Sequence, residues 1–311
     1  MRGLRVRLLG PARIELDGQA ATPLLGVKPQ ALIYLLAVQQ APIPRARLAA
    51  WLWGDGDEAG ARANLRVALS QLRRWLPGVL NADAREVGFA ADVPLQVDLW
   101  ALEAAGSPTA TRTERARALG LWRGPFLDGF EVPGNDEVEH WLSRQRQRCL
   151  HLAKSVCEAL VAQEEGAGHL AEAVGHARRW LELDDADESG HAALMRLLGA
   201  LGQRTAALAQ YEVCRAALAE RLGARPSAAT HALYVRLHAD APLQTFPASV
   251  AGSVPATPGG SEPTPISSPS ASAEGVDPVT TSAEAGRSAA PGCLPAPARD
   301  AGPMIGRRAE Q

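Results

Sequence analysis

The chain has 311 residues, 46% of them apolar and 21% charged, and a formal net charge of −2. This balance is typical of a globular protein of about two domains and excludes a polycation that binds nucleic acid over its whole surface. No apolar run approaches 18 residues and the N-terminus lacks a signal-peptide core, so we expect a cytoplasmic protein with no membrane partner. Residues 1–100 contain 11 Arg and one Lys against nine Asp and Glu, whereas residues 101–245 contain 16 basic and 19 acidic side chains. The slightly basic first third allows a local DNA-binding face without requiring one.

The first hundred residues predict a small sheet, three helices and a hairpin. Apolar and polar residues alternate from Leu4 to Leu16 and are followed by Asp17-Gly18, which indicates strands and a tight turn. Apolar spacing then predicts three helices, over residues 27–39, from Pro44 to Trp53, and over residues 61–76. Residues 79–89 predict two short strands around Asp83-Ala84-Arg85. This order is that of a winged helix-turn-helix unit.

The 61–76 helix has two distinct faces. Its leucines at positions 65, 69, 72 and 76 form an inward stripe, and Arg62, Arg66, Ser70 and Arg73 lie on another face, with Asn64, Gln71 and Arg74 beside it. An Arg side chain can form two hydrogen bonds with the edge of guanine, and an Asn or Gln side chain can form two with the edge of adenine. Ser and Arg also reach phosphates. The candidate DNA-binding residues are Arg62, Asn64, Arg66, Ser70, Gln71, Arg73 and Arg74, with Arg85 at the hairpin tip and Arg45 at the start of the preceding helix. The open alternative is an ordinary helical hairpin with a solvated basic face.

The segment GDGDEAG at residues 54–60 predicts a glycine-rich acidic loop between the second and third helices. Its Asp spacing suggests a calcium loop, but an EF-hand needs a Glu where Arg66 stands. We therefore predict a solvated loop that contacts a protein partner.

From Val97 to about residue 240 the pattern is helical. Asp136–Glu165 predicts one long amphipathic helix, and shorter helices are expected over about 168–183, 187–201, 203–222 and 227–239. Gly202 followed by Ala207, Leu208 and Tyr211 is typical of tetratricopeptide-like packing, and a non-repeat helical bundle is the alternative. The acidic residues between 184 and 188 predict a turn and a helix N-cap.

Beyond residue 242 the composition changes. Residues 243–302 are rich in Pro, Ser, Gly and Ala and predict a disordered linker. The four cysteines (149, 157, 214 and 293) lack metal-ligand spacing, so we expect free thiols and no metal. No nucleophile, zinc or Walker motif is present, so we expect no catalytic residue, no cofactor and no enzyme.

The matching segments LRVRLLGPARIELDG, RLAAWLWGD, NLRVALSQLRRWL, WRGPFLDGF and GQRTAALAQYE–LGARPS resemble those of the SARP class of bacterial transcriptional activators. The resemblance implies an α+β OmpR-like winged-helix domain at residues 1–95 and an all-α tetratricopeptide-like activator domain (BTAD) at residues 96–242. It also implies that helix 61–76 enters the major groove of promoter DNA, with direct repeats and a homodimer on DNA expected. The loop with Gly54, Asp55, Asp57 and Glu58 would then face RNA polymerase. The hairpin departs from the family because it is short and lacks the usual Gly-Tyr pair, which leaves the role of Arg85 open.

The last nine residues, PMIGRRAEQ, resemble the segment that begins STAND ATPase domains. We therefore expect residues 303–311 to be the start of a truncated or absent domain of that kind. The function predicted for the chain is a sequence-specific transcriptional activator. The alternative is a tetratricopeptide-like protein-binding scaffold that does not read DNA directly.

Overall fold

The computed structural model describes residues 3–54 and 56–239, and it divides them between a part with strands and helices and a helical part. The strands are β1 (Leu4–Arg7), β2 (Arg13–Leu16), β3 (Gln19–Ala20), β4 (Ile43–Pro44), β5 (Leu80–Ala82), β6 (Glu86–Phe89) and β7 (Leu95–Val97). The helices are α1 (Val27–Gln39), α2 (Arg45–Trp53), α3 (Glu58–Trp75), α4 (Asp98–Ala105), α5 (Arg112–Gly120), α6 (Asp136–Gly166), α7 (Leu170–Leu183), α8 (Glu188–Ala200), α9 (Arg204–Leu222) and α10 (Ala228–His238).

The first sheet has the strand order β3-β2-β1-β7. β1 is antiparallel to β2, with Val6 opposite Ile14, and parallel to β7 on its other side. Asp17 and Gly18 connect β2 to β3 with φ angles of 53° and 80°. Two consecutive positive φ angles match the right-handed twist of a hairpin, which confirms the turn predicted from Asp-Gly.

The second sheet, β4-β6-β5, holds the predicted hairpin against the three-helix group. Helix α1 has the predicted bounds. Pro44, predicted as the first residue of the second helix, belongs instead to β4 and pairs with Glu86 of β6. Helix α3 begins three residues earlier than predicted because the Asp57 side chain caps it, accepting a hydrogen bond from the backbone N–H of Gly60 at 2.8 Å. The four leucines of its predicted inward stripe are all buried, which confirms the orientation of the helix.

Helices α6 to α10 agree with the predicted ranges to within two residues. Each packs on the one before it, and α10 also contacts α8. Helices α7 and α8 approach closely at Gly190, where an added Cβ would lie 2.9 Å from Leu181 Cδ2 and 3.3 Å from Trp180 Cγ. The turn between them is the predicted acidic one, with Asp187 capping α8.

The loop at residues 122–130, WRGPFLDGF, holds the helical part to residues 8–10, directly after β1. The backbone N–H of Gly10 donates to Pro125 O at 3.0 Å, and that of Leu127 donates to Leu8 O at 2.8 Å. Asp98 lies beneath this contact, and its carboxylate accepts from the N–H groups of Leu8 and Leu9 at 2.7 and 3.2 Å. One hydrophobic cluster consequently runs from β1 into α6, and the described residues belong to one compact unit.

The predicted boundary between residues 95 and 96 falls inside β7, which pairs with β1, and the division into two domains there stays a prediction. The linker predicted at 243–302 and the segment at 303–311 lie outside the described residues. Within the ranges that are described, no helix combines the length and the apolar character needed to cross a bilayer.

Candidate nucleic-acid interface

Helix α3 presents a cationic stripe next to its stripe of buried leucines. Arg62, Arg66, Ser70 and Arg73 follow one another at intervals of three or four residues and are all exposed. Arg74 is exposed at the outer edge of this stripe, whereas Asn64 and Gln71, also exposed, lie on the other side of the leucines, with the Gln71 side chain near Gly26. All seven predicted side chains of this helix are therefore accessible, and an 18-residue helix is long enough, at about 27 Å, to span the width of a major groove.

The structure gathers four of the predicted arginines around one cleft of about 600 Å³. Arg62 and Arg66 line it from α3, Arg45 from the start of α2, and Arg85 from the turn between β5 and β6. These arginines come from three elements that are up to 40 positions apart in sequence. The concave, cationic shape that they form is suited to a strand of phosphodiesters, which carries one negative charge per nucleotide.

Asp83 and Arg45 fix the hairpin turn beside this cleft. The Asp83 carboxylate accepts the backbone N–H groups of Arg85 and Glu86 at 2.7 and 2.8 Å, and these two bonds lower the pKa of Asp83. Arg45 donates through its guanidinium to Asp83 O at 3.1 Å, and its backbone N–H donates to Arg85 O at 2.8 Å. The hairpin tip is thus held against α2, so that Arg85 stands at a defined place beside α3.

The arginines of α3 differ in how strongly they are already engaged. Arg73 donates to Ala82 O in β5 at 3.2 Å and so helps to hold the hairpin. Arg74 lies over the Trp75 ring at 5.2 Å, and Arg62 pairs with Glu58 one turn earlier. Arg66 makes no ion pair or hydrogen bond within residues 3–54 and 56–239. It is therefore the arginine of this helix with the most freedom to bind a ligand.

The predicted acidic loop is shorter than expected and is partly helical. Gly54 follows α2 directly, Asp57 is the N-cap of α3, and Glu58 is its first residue. The prediction that residues 54–60 form a loop is therefore wrong for 58–60, because the Asp57 cap and the favourable position of Glu58 at the positive helix end stabilise the first turn. Asp55 lies outside the described residues.

Sequence reasoning missed Val67. Val67 is 58% exposed on α3, directly after Arg66 in sequence and one turn before Ser70, although valine is usually buried. A β-branched apolar residue on the polar face of an amphipathic helix was the signal that could have identified it. An exposed methyl group here can contact the methyl group of thymine, as other apolar side chains do in the major groove.

Three cysteines lie in the core, away from this face. Cys149, Cys157 and Cys214 are buried free thiols, as predicted, and burial raises their pKa to about 12, 12 and 11. Cys293 lies outside the described residues. Among the residues that the structure describes, no three His, Cys, Asp or Glu side chains are grouped so as to hold a metal ion.

The fold and the cleft define a class of protein in which a helical domain is joined to a small strand-and-helix unit with a cationic helix. Residues 98–238 match the family described as bacterial transcriptional activator domain, BTAD. The chain is 29% identical over 266 residues to the regulatory protein AfsR of Streptomyces coelicolor, an alignment covering 82% of this chain and 26% of that protein. It is 30% identical over 234 residues to the regulatory protein AfsR of Streptomyces griseus, covering 72% of this chain and 23% of that one. The chain thus spans about a quarter of the length of these curated relatives.

A solved structure has a similar fold. The chain superposes on Mycobacterium tuberculosis EmbR, solved in complex with a low-affinity phosphopeptide, with a TM-score of 0.58 and 23% identity. The match covers 78% of this chain and 67% of EmbR. The family match and the two curated relatives confirm the resemblance to SARP-class bacterial transcriptional activators, and the family match identifies residues 98–238 as the bacterial transcriptional activator domain.

Proposed function

We propose that the chain is a sequence-specific DNA-binding transcriptional activator. In this proposal α1, α2, α3 and the β5–β6 hairpin form an OmpR-like winged helix-turn-helix, and α3 enters the major groove. The observation that carries the proposal is the cleft at which Arg45, Arg62, Arg66 and Arg85 meet beside the exposed face of α3. A solvated helical hairpin would not need its arginines, contributed by three elements, to converge on one concavity.

The surroundings of each residue suggest how the contacts divide. Arg66, which is unengaged within the described chain, is proposed to read a base edge from the cleft side of α3, and Asn64 and Gln71 are proposed to do so from the other side of the helix. Arg45 and Arg85, held at the rim by the hairpin turn, are proposed to bind phosphates and so set the register. Val67 adds an apolar contact that favours thymine over cytosine, because only thymine carries the methyl group.

The partners proposed for the chain are promoter DNA with direct repeats, on which a homodimer forms, and RNA polymerase. The short connection from Gly54 to Asp57, between α2 and α3, is the surface proposed to face the polymerase. Asp57 already caps α3, and its substitution would therefore change the helix as well as the contact. Substitutions at Gly54 and Glu58 likewise affect the structure, because a Cβ added at Gly54 would lie 2.5 Å from Ala50 O and Glu58 pairs with Arg62 of the cleft.

One observation favours the alternative of a protein-binding scaffold. A cavity of about 350 Å³ opens among α6, α8 and α10, and Trp180 lines it. The Trp180 indole N–H is buried and has no acceptor in the part of the chain that the structure describes. Since buried donors are normally paired, a carbonyl group of a bound peptide could supply the missing acceptor. A chain that works in this way alone would not bind promoter DNA when purified.

Footprinting of the purified full chain on the DNA upstream of its own gene tests the proposal. The full chain is required because the backbone of residues 8–10, directly after β1, is hydrogen-bonded to the 122–130 loop. We expect protection of direct repeats, and we expect Arg66→Ala to remove it while Arg144→Ala, an exposed arginine of α6, leaves it unchanged. Absence of protection, or protection that survives the Arg66 substitution, would contradict the assignment of this face.

A further inference from the structure

A third cavity, larger than the arginine cleft and the cavity beside Trp180, lies on a different part of the molecule. It is an open cavity of about 850 Å³, lined by β1, β7, α4 and α5. It shares no lining residue with the arginine cleft proposed for DNA. Pockets that bind small molecules have volumes of roughly 300–1,000 Å³, so this one can hold a compact organic ligand.

The walls of this cavity are part apolar and part polar, and the apolar part is firmly held. Val97 is buried, and Trp100, Ala101 and Leu121 are half-buried. The Trp100 indole N–H donates to Ala37 O in α1 at 2.7 Å, which fixes the ring at the cavity wall. An apolar wall with a satisfied polar edge favours the flat or branched hydrocarbon body of a ligand.

The charges that face the cavity are predominantly positive. Four arginines line it (Arg5, Arg7, Arg117 and Arg123) against two acids (Asp98 and Glu114). Both acids are already engaged: Asp98 accepts backbone N–H groups and Arg123, and Glu114 accepts the N–H and hydroxyl groups of Thr111 in the cap of α5.

The remaining arginines are not equally available. Arg5 and Arg7 share Glu15, which lies outside the cavity, at 3.7 and 3.3 Å. Arg117 is exposed and has no ion pair or hydrogen bond among the residues that the structure describes. Its guanidinium carries two parallel donor pairs, the geometry that a carboxylate, sulfonate or phosphate group accepts.

We propose that this cavity binds a small anionic molecule with an apolar body and that Arg117 anchors its acidic group. The site goes beyond the proposed DNA contact, because its ligand touches both the first sheet and the first two helices of the activator domain. A ligand bound there stabilises the arrangement in which these elements are docked.

The test uses two fluorescent probes that share one aromatic body. The first, 8-anilinonaphthalene-1-sulfonate, carries an acidic group, and the second, N-phenyl-1-naphthylamine, lacks it. Each is titrated into the folded full chain, and the dissociation constant and stoichiometry are measured. We expect one sulfonate probe per chain, bound at least tenfold more tightly than the neutral probe.

Three variants locate the binding. Arg117→Glu should weaken binding of the sulfonate probe at least tenfold and leave the neutral probe nearly unchanged, and Ala101→Trp should weaken binding of both by occupying part of the apolar wall. Arg144→Glu, the matched charge reversal on α6, should change neither. Thermal melts first establish that each variant is folded, and Arg117→Gln, which reverses no charge, should give an intermediate affinity.

Three results would overturn the proposal. They are equal affinities for the two probes in the unmodified chain, sulfonate binding that survives Arg117→Glu and Ala101→Trp, and a loss caused equally by Arg144→Glu. None of them bears on DNA binding, so this proposal and the DNA-binding proposal stand or fall separately.

Discussion

Replacing Asp98 by alanine should show how much the contact between the activator domain and the residues after β1 contributes to the free energy of unfolding. The Asp98 carboxylate accepts the backbone N–H groups of Leu8 and Leu9, two residues with no exposed surface. Alanine leaves both donors buried without an acceptor, and each such group costs about 1–3 kcal/mol. Loss of the bond to Arg123 adds little, because that side chain is one-third exposed. We expect a loss of about 2–6 kcal/mol, a large part of the roughly 5–15 kcal/mol of unfolding free energy that a folded domain has.

The assay is urea unfolding of the full chain, with the free energy obtained by linear extrapolation. Asp98→Asn provides the graded control, since it keeps one acceptor oxygen, and its loss should be smaller than that of alanine. The m-value should not change if the two proteins unfold from the same compact state. A loss below about 1 kcal/mol for alanine would refute the claim that this carboxylate holds the residues after β1 to the helices.

Three further outcomes follow from single contacts. Arg73→Ala should lower stability by about 1 kcal/mol as well as DNA affinity, since it removes the bond to Ala82 O; unchanged urea unfolding would show that this arginine does not hold the hairpin. Gly10→Ala should destabilise the chain by at least about 2 kcal/mol, because φ is 114° and the new Cβ would lie 2.8 Å from a side-chain carbon of the 122–130 loop; a neutral effect in the same assay would contradict this close approach. Burial raises the pKa of Glu164 and the hydrogen bond from Arg112 lowers it, and the net effect is a lowered pKa. The ionised Glu164 side chain should therefore stabilise the fold above about pH 5, and this stabilisation should be lost as the pH falls through the lowered pKa. Glu164→Gln should therefore flatten the dependence of stability on pH below about 5, and a curve parallel to that of the unmodified chain would contradict the sign.

Local signals in the sequence were sufficient for most of the helices. The bounds of α1 were predicted without error, and those of α6 to α10 to within two residues, because apolar periodicity and capping residues act over a single turn. The same periodicity identified the buried face of α3. The start of α3 was missed because its first residues, Glu58 and Gly60, belong to a segment whose composition is typical of a loop.

The shape of the candidate site could not be predicted in this way. Arg45 and Arg85 reach α3 because β4 pairs with β6, which places Ile43 opposite Val87. This pairing joins segments more than 40 residues apart, and neither segment carries a local signal for it. The role of WRGPFLDGF could not be predicted for the same reason, since its backbone groups form hydrogen bonds with residues 8–10, over 110 positions earlier in the sequence.

The central claim is that α3 reads DNA, and competition binding of the Arg66→Ala variant tests it most directly. The affinity of the full chain is measured for the footprinted repeat and for an unrelated duplex across a range of salt concentrations. If Arg66 contacts a base, affinity for the repeat should fall by about 1–3 kcal/mol while affinity for the unrelated duplex and the salt slope change little. Equal weakening on both duplexes, with a slope reduced by about 1, would contradict base readout by Arg66 and leave only a phosphate contact. Unchanged binding to both would contradict the account of α3 as the DNA-reading helix.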